Sequence, residues 1–341
     1  MGRGGSGYGT RLQGKGQDTG VNRFDVTLAG EANLDLLLYG LPAELPTDRE
    51  LVADGMALTL GGSPAITAHN LAMLGLKTSL ITAASDDVFG AMCLRDLAAA
   101  GVDLSRAVRK SHDRGTGVSV LLQHGDSRRT LTYSGNTVEL CWNDLDLDFL
   151  ASARHFHLSS YFLQTGLRDD VPRLCAYLKR AGLTISVDPN DDPLGRWDNS
   201  FFLVLKYIDV LMPNQREVCE MMRDSNAERA IARLSELVPL LVVKRGARGA
   251  LAVQAGRRYE AEAIAVTLVD AIGAGDSFNA GFLYAWLNGS PLDRCLRFGN
   301  LAGAFSTTAA GGVEAFRNRR GLEEFLSAHA DAPVCTVQGR K

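Results

Sequence analysis

Short apolar runs alternate along most of the chain with segments whose apolar residues recur at helical spacing. From Phe24 onward, the apolar runs predict strands at 25–28, 78–82, 156–159, 184–187, 210–212 and 240–243. The segments between them predict helices that include 66–74, 88–100, 171–181 and 229–237. Alternating strands and helices favour an α/β fold, with a doubly wound, mostly parallel sheet that helices cover on both faces.

Two segments interrupt this alternation. Residues 41–60 and 115–134 are typical of hairpin strands without an intervening helix, and the second is expected to turn at Gly125 and Asp126. Such strands do not join a parallel core easily. We therefore expect a small β-sheet at the edge of the core, built from lid segments at about 41–60 and 111–138. It would serve as a lid over a cleft or as a dimerisation sheet, and one sheet can do both.

The first 22 residues are rich in glycine, and this composition alone produces matches to two phosphate-binding motifs. A Gly-x-Gly-x-x-Gly match starts at Gly2, and a near phosphate-loop match ends at Gly16, where a Ser or Thr is required. Both motifs bind phosphate only between a strand and a helix, and this segment predicts neither. We expect a disordered tail over 1–22 and one domain over 23–341.

The overall composition narrows the class of protein. Hydrophobic residues make up 46% of the 341 positions and charged residues 22%, which is typical of a globular protein. The formal net charge of -3 gives no sign of a nucleic-acid or anionic-membrane surface, so the expected partners are small molecules. No apolar stretch approaches the roughly 18 residues of a spanning helix, and the first residues lack the apolar core of a signal peptide. A cytoplasmic location is therefore expected.

The cysteines and histidines do not form a recognisable metal site. The six cysteines are scattered without a Cys-x-x-Cys pair, which is typical of reduced thiols. His155 and His157 alternate on a predicted strand, but two histidines without a third ligand are more often structural.

The most specific chemistry lies in the run VDAIGAGDSFNAGFLYAW, residues 269–286. A predicted strand at 264–269 leads to a tight turn at Gly273, Ala274 and Gly275, and a helix is predicted over 277–287. The free amides of the first helical turn would then lie beside residues with almost no side chain. The pattern predicts an anion hole.

Asp276 at the start of this helix has two interpretations. It could be the N-cap, for which Asp is among the best residues. A carboxylate beside a phosphate site could instead accept the proton of an attacking hydroxyl, as the base does in phosphoryl transfer. The four residues 273–276 do not decide between these roles.

Two signatures in the chain resemble those of the ribokinase-like (PfkB) carbohydrate kinases. The late signature corresponds to DAIGAGDSFNAG, residues 270–281, and the early one to GGSPAITAHNLAMLG, residues 61–75. They occur in the family's order, about two hundred residues apart. The resemblance covers roughly 24–325 and implies a ribokinase-like fold with a small β-sheet lid, in which Asp276 is the general base.

The resemblance also implies a nucleotide site. Asn214 and Glu217 match a motif that helps to hold Mg²⁺ and the phosphates, largely through water, and by itself Glu217 would be a surface helix residue. Asp188 ends a predicted strand near the phosphates, although a turn role explains it equally well. The segments expected to contact ATP further include Lys244, Gly246, Gly249 and Asn300.

On the substrate side, the run GEANLDLLLYG resembles the family's opening strand, in which Asn33 and Asp35 would hydrogen-bond sugar hydroxyls. An Asp in an apolar run is costly to bury without a partner, which independently favours a ligand-facing role, and a turn is the competing explanation. Gly61 and Gly62 would bring backbone amides near the sugar. Ile66 replaces an Asn that many family members use to contact hydroxyls, which puts ribose or fructose in doubt.

A potassium site belongs to the same resemblance. If it is retained, it would use the Asp270 carboxylate and the carbonyl groups of Ile272, Thr307, Ala310 and Gly312. Ala271 replaces the usual Thr without necessarily abolishing that site.

Together these features predict an ATP-dependent, Mg²⁺-requiring kinase that phosphorylates a hydroxyl of a sugar or sugar-like molecule, with a homodimer formed through the lid. A nucleoside kinase is the nearest alternative. It would need a stacking wall from a chain with 7% aromatic residues, for which Tyr133 or Tyr161 could serve. A non-catalytic sensor of sugars or nucleotides is a further alternative, although a sensor has no need of a base.

Overall fold

The computed structural model describes residues 22–110, 114–124 and 127–329. Nearly all of the predicted tail, the predicted turn at Gly125 and Asp126, and Cys335 lie outside the described residues. The division into a tail and one domain therefore stays a prediction. Across the described ranges, no helix is both long and apolar enough to cross a membrane.

The strands and helices follow one another along the chain in the predicted alternation. The strands are β1 (Phe24–Ala29), β2 (Asn33–Tyr39), β3 (Gly55–Gly61), β4 (Thr78–Ile81), β5 (Ala83–Ser85), β6 (Val108–Lys110), β7 (Val118–His124), β8 (Ser127–Tyr133), β9 (Ala153–Ser159), β10 (Thr184–Asp188), β11 (Val210–Leu211), β12 (Leu240–Lys244), β13 (Ala250–Gln254) and β14 (Arg257–Ala261). The α-helices are α1 (Ser63–Met73), α2 (Val88–Ala100), α3 (Leu147–Ala151), α4 (Val171–Arg180), α5 (Asn199–Val204), α6 (Gln215–Met221), α7 (Ala227–Ser235), α8 (Ala274–Leu287), α9 (Leu292–Ser306), α10 (Glu314–Arg317) and α11 (Arg319–Ala328).

An eight-stranded sheet forms the core, in the order β14-β13-β12-β11-β10-β9-β1-β4. The strands from β12 to β4 are parallel, and β13 and β14 join them antiparallel at one edge. Alternate side chains of β12 enter the two opposite cores, Leu241 and Val243 on one face and Leu240 and Val242 on the other. The mostly parallel sheet covered on both faces is thus confirmed.

The helix α2 shows why some boundaries follow from the sequence. It spans Val88–Ala100, as predicted, because local residues stop it at both ends. The Asp87 side chain accepts a hydrogen bond from the Gly90 amide at 2.7 Å. Gly101 follows the helix with a φ of 93°, the left-handed conformation that glycine adopts at helix ends.

The predicted strand at 264–269 is wrong. The chain leaves the sheet after β14 and runs without strand pairing until α8 begins at Ala274. Leu268 and Val269 are 59% and 48% exposed, so their apolar character does not reflect burial in a sheet. The Val269 amide instead donates to the Thr307 carbonyl at 2.8 Å.

The small sheet exists, and β7 and β8 lie within 115–134, where hairpin strands were predicted. The other segment, 41–60, contributes only β3, and the sheet also contains β2, which was not predicted to belong to it. Its order is β3-β2-β7-β8, and β2 pairs antiparallel with β3 from Asn33 opposite Gly61 to Tyr39 opposite Gly55. The run GEANLDLLLYG therefore belongs to the small sheet, and the opening strand of the core is β1. Residues 41–54 form the connecting loop, because Pro42, Pro46 and the polar residues around them do not support strand pairing.

One face of the small sheet packs over the chain that leads into α8. Leu37 and Leu121 are buried against Ile272, with Tyr39 packed beside them. The Thr59 hydroxyl donates to Glu314 Oε1 at 2.8 Å. The small sheet thus lies beside the predicted anion hole.

Candidate active site

The turn before α8 is built as the small residues predict. Gly273 is the N-cap, with a φ of 68°, and a Cβ there would overlap the Cα of Gly312. The Ala274 amide makes one long hydrogen bond, 3.4 Å, to the Ala271 carbonyl. The amides of Gly273 and Gly275 donate to no acceptor among the described residues. They can therefore bind an anion.

Asp276 does not cap this helix. The helix begins three residues earlier than predicted, so Asp276 is the third residue of its first turn, and no side chain caps the N-terminus. Asp276 is 7% exposed. Burial raises the pKa of its carboxyl to about 7, with the Asp188 carboxylate adding to the rise and Lys244 opposing it. A carboxyl with that pKa can accept a proton near neutral pH.

Lys244 places a positive charge in front of the same helix end. It is the last residue of β12, and its Nζ lies 3.5 Å from the position that a Cβ on Gly275 would occupy. Lys244 forms an ion pair with the fully buried Asp188 at the end of β10, and Asn279 donates to that carboxylate at 2.6 Å. Burial opposes the charge on Lys244, but the Asp188 and Glu217 carboxylates outweigh it and raise its pKa.

Asn214 and Glu217 form the N-terminus of α6. The Asn214 side chain accepts from the Glu217 amide at 3.0 Å, and the Asn214 amide donates to Glu217 Oε2 at 2.8 Å. Glu217 is only 4% exposed, so it is not a surface helix residue. Burial and the neighbouring Asp188 raise its pKa. The structure thus brings Asp188, Glu217 and Lys244 together at the ends of adjacent strands.

The other residues that were predicted to contact ATP shape the backbone or hydrogen-bond it. Gly246 and Gly249 take φ values of 58° and 75°, and a Cβ on Gly249 would overlap the Ala261 carbonyl oxygen. Asn300 donates from its side-chain amide to the carbonyls of Ala261 and Glu262, at 3.0 and 2.9 Å. Asn300 therefore fixes the chain after β14.

The predicted substrate residues lie together where β2 meets β3. A Cβ on Gly61 would overlap the Asp35 carboxylate, and one on Gly62 would lie 2.6 Å from Asn33 Oδ1. Asp35 is 6% exposed. Burial raises its pKa to about 7, and the negative charges of Asp276 and Asp270 add to the rise. The turn interpretation of Asp35 is excluded because Asp35 lies inside β2.

Three polar residues near Asp276 were missed by the sequence analysis. Glu31 is 6% exposed and its pKa is raised to about 7 by burial. Ser160 and Asn190 follow β9 and β10, and the Ser160 amide donates to Asn190 Oδ1 at 2.7 Å. Asn190 in turn lies near the Asp276 carboxyl. The rule that singled out Asp35, an acid in an apolar run, could have been extended to Glu31, which follows the apolar strand β1.

Ile66, which replaces a polar residue of many family members, supports the anion hole. It is 2% exposed, and its Cδ1 lies 3.3 Å from the Cβ position of Gly273. Asn70, one helical turn further, donates to the Ser277 hydroxyl at 2.9 Å and to the Gly312 carbonyl at 3.0 Å. The helix α1 thus holds the turn in place through packing and two hydrogen bonds.

The Asp270 carboxylate is largely satisfied by the protein. Its oxygens accept hydrogen bonds from the Ile272 amide at 2.6 Å, the Gly311 amide at 2.8 Å and the Tyr39 hydroxyl at 3.0 Å. A carboxylate has about four acceptor positions, so about one remains.

Two of the predicted carbonyl ligands for potassium are also engaged. The Thr307 carbonyl accepts from the Val269 amide, and the Gly312 carbonyl accepts from Asn70 and Ser277. Because a carbonyl oxygen has two acceptor positions, the Thr307 carbonyl keeps one and the Gly312 carbonyl keeps none. The potassium site stays a prediction, and no step of the chemistry is assigned to it.

Neither tyrosine proposed for a stacking wall is placed to stack on a base. Tyr161 is 1% exposed, and its ring packs against Phe162 and Phe201 in the core. Tyr133 is 58% exposed, and strand alternation puts it on the face of the small sheet opposite to Thr132, which contacts Ser119.

The two alternating histidines bind the same serine. His155 and His157 are fully buried, and both hydrogen-bond the Ser186 hydroxyl at 2.7 Å. Within the described ranges, no group of three or more His, Cys, Asp or Glu residues could hold a metal ion.

Solved structures share this fold. The E. coli protein described as ribokinase II, in complex with ATP and Mg²⁺, matches with a TM-score of 0.78 and 27% identity, covering 89% of this chain and 99% of that one. The fold and the site therefore define a kinase of the ribokinase-like fold.

Sequence comparisons give the family. The model for the pfkB family carbohydrate kinases matches residues 24–318. The ATP-dependent ribose-1-phosphate kinase of Halopiger xanaduensis is 31% identical over 313 residues, 90% of this chain and 99% of the relative. The 5-dehydro-2-deoxygluconokinase of Lacticaseibacillus casei is 28% identical over 321 residues, 89% and 96%. The chain belongs to the pfkB family of carbohydrate kinases, and the predicted resemblance is confirmed.

Proposed function

We propose that this carbohydrate kinase uses Asp276 as the general base that prepares a sugar hydroxyl for attack on the γ-phosphoryl group of ATP. The observation that carries the proposal is the position of Asp276. It is a buried acid in the first turn of a helix whose amino end presents free amides to an anion. The raised pKa of Asp276 suits a base that works near neutral pH.

The chemistry then follows from the charges around the helix end. As the acceptor oxygen attacks, its proton passes to Asp276, and negative charge develops on the transferring phosphoryl group. The amides of Gly273 and Gly275 and the helix dipole stabilise that charge without reorganising. Lys244, held near Gly275 by Asp188, adds a positive charge at the same place.

The proposal includes an Mg²⁺ ion that binds with ATP. Glu217 and Asp188 present carboxylates near Lys244, and both are buried. Carboxylates with intervening water are the ligands that Mg²⁺ prefers when it arrives with nucleotide phosphates. Bound there, the ion would neutralise charge on the phosphates.

A substitution at Asp276 tests the base. Asp276→Asn keeps the shape of the side chain, but its amide group cannot accept the proton. We expect kcat to fall by about a thousandfold, within the range that a lost general base costs, while the Kd for ATP with Mg²⁺ stays within a few-fold.

Asp293→Asn is the matched control, because Asp293 is an acid in the first turn of the neighbouring helix α9. It should leave kcat unchanged. Retention of most activity by Asp276→Asn would remove Asp276 from the base role.

The acceptor is best sought among sugars that carry an anionic group. The relatives named above act on ribose 1-phosphate and on 5-dehydro-2-deoxygluconate. Strand alternation in β8 places Arg128 on the same face as Thr132, towards the site, and its positive charge opposes the raised pKa of Asp35. We would assay both compounds with D-ribose, D-fructose and adenosine, following ADP release.

The alternatives are less well supported. A nucleoside kinase lacks the expected stacking wall, because Tyr161 is in the core and Tyr133 faces away from the site. A sensor would not need the free amides, Lys244 and Asp276 to converge. Turnover of adenosine above all sugars would favour the first alternative, and binding without turnover would favour the second.

A homodimer through the small sheet completes the proposal. The face turned away from the site carries exposed apolar side chains, which are Met56, Leu58, Leu131 and Tyr133. Exposed apolar patches of this kind mark interaction surfaces. The cytoplasmic location stays a prediction.

A further inference from the structure

Glu31 lies beside the proposed acceptor site without a part in the chemistry described so far. It follows β1, and its side chain packs against the backbone at Gly62, where a Cβ would lie 3.2 Å from Glu31 Cγ. The charge of the base, Asp276, contributes to the raised pKa of Glu31. Glu31 therefore shares the cleft with Asp35, Gly62 and Asp276.

One oxygen of this buried acid has no partner. The Ser160 hydroxyl and the Ser63 amide lie near the carboxyl group. Its Oε2, however, accepts no hydrogen bond from the described residues, although Glu31 is only 6% exposed. Leaving a buried polar atom without a partner is costly, and such atoms in native proteins usually bind water or a ligand.

Two residues near Glu31 and Asp276 have an unusual backbone conformation. Ser160 and Asn190 both adopt left-handed conformations, with φ values of 56° and 54°. The Ser160 amide donates to Asn190 Oδ1 at 2.7 Å, and Asn190 lies near Asp276. Non-glycine residues with positive φ are uncommon, and strained residues cluster at functional sites.

We infer that Glu31 is a substrate-binding residue. Its Oε2 accepts a hydrogen bond from a hydroxyl of the phosphoryl acceptor other than the hydroxyl that attacks. This inference rests on the proposed function and names the chemistry of the acceptor at this end of the cleft. Glu31, Asp35 and Asp276 surround this end of the cleft with carboxyl groups, which repel an anion and accept hydrogen bonds from hydroxyls. The end of the acceptor that is phosphorylated is thus a neutral polyol, and any anionic group lies at the Arg128 side.

Glu31→Gln tests the inference because it keeps the side-chain size and removes the charge. We expect the KM for the acceptor to rise about 10- to 100-fold, because the hydrogen bond loses its charged partner. The KM for ATP should stay within about twofold. Ser160→Ala, which frees Glu31 from its neighbour, should raise the acceptor KM in the same direction by a smaller factor.

Asp96→Asn is the matched control. Asp96 is a buried acid that forms its ion pairs with Arg95 and Arg317, away from the site. It is expected to lower Tm and to leave both KM values unchanged. The acceptor in all assays is the panel compound that the wild-type protein turns over with the highest kcat/KM.

The outcomes separate the inference from the proposed function. An unchanged acceptor KM in Glu31→Gln, with a wild-type protein that is active, overturns the role of Glu31 alone. A lowered Tm without the split between the two KM values would make Glu31 a structural acid. If the wild-type protein releases ADP with no compound of the panel, the proposed function itself fails.

Discussion

The proton affinity of Asp276 is set by its immediate neighbours. Burial disfavours the charged carboxylate, the charge of Asp188 adds to this effect, and Lys244 opposes it. The late signature predicted Asp276, and a second matched segment predicted Lys244. Asp188 was predicted at the end of a strand near the phosphates, with a turn role as an equal alternative. None of these matches predicted Glu31, Ser160 or Asn190, whose contacts depend on how the ends of different strands meet.

The first prediction concerns the pH dependence of turnover. The Asp276 carboxyl must be ionised to accept a proton, and its pKa is raised to about 7. We therefore expect kcat/KM to rise with pH, level off above about pH 8, and be about thirtyfold lower at pH 5.5. ATP binding, measured by calorimetry at the same pH values, serves as the control. A kcat/KM that is constant from pH 5.5 to 8 would contradict the assignment.

At the scale of helices and strands, boundaries that local residues set were predicted better than features that tertiary contacts set. The helix α2 was predicted to the residue because its cap and its terminal glycine are local. The exposed run before α8 was mistaken for a strand, because its apolar residues resemble a strand pattern although Leu268 and Val269 are largely exposed. The strand β2 was not predicted to join the small sheet, since pairing with β3 and β7 cannot be read from an apolar run.

Gly273 provides a test of the turn that forms the anion hole. Gly273→Ala would force a side chain into the left-handed region and against Gly312. We expect a loss of stability greater than the roughly 1–2 kcal/mol of the backbone conformation alone, and a Kd for ATP at least about tenfold weaker, because the amides move.

Gly289→Ala is the matched control, with a φ of 75° and no atom near its added Cβ. It should show the backbone cost and leave ATP binding unchanged. Equal ATP affinity in the two variants would show that the turn at Gly273 does not bind the phosphates.

The hydrogen bond from Tyr39 of the small sheet to Asp270 leads to a prediction about the effect of K⁺ on turnover. Because the Tyr39 hydroxyl takes one acceptor position of Asp270, we expect turnover and Tm to change little when K⁺ is replaced by tetramethylammonium. Tyr39→Phe should lower turnover, and K⁺ should restore part of it. Strong stimulation of the wild-type protein by K⁺ would contradict this expectation.

At the scale of the whole molecule, the alternating pattern was enough to predict the class of fold. A mostly parallel sheet follows from strands and helices in alternation, and the structural neighbours confirm it. The position of the small sheet over the start of α8 was not predictable, because it depends on contacts such as Leu37 with Ile272.

The proposed dimer belongs to this scale. Leu131→Lys puts a charge in the exposed apolar face of the small sheet, where Leu131 is 60% exposed. We expect light scattering to show a dimer for the wild-type protein and a monomer for this variant. Leu203→Lys, at a 54% exposed position on α5, should remain a dimer. A wild-type monomer at micromolar concentration would rule the dimer out.

The central claim is that the amino end of α8 binds the transferring phosphate while Asp276 contacts the acceptor. A crystal structure with Mg²⁺, a non-hydrolysable ATP analogue and the acceptor measures this directly. The account predicts a γ-phosphate oxygen on the amides of Gly273 and Gly275, and an acceptor hydroxyl about 2.6–3.2 Å from Asp276. A γ-phosphate bound elsewhere, or an Asp276 carboxyl without contact to the acceptor, would contradict it.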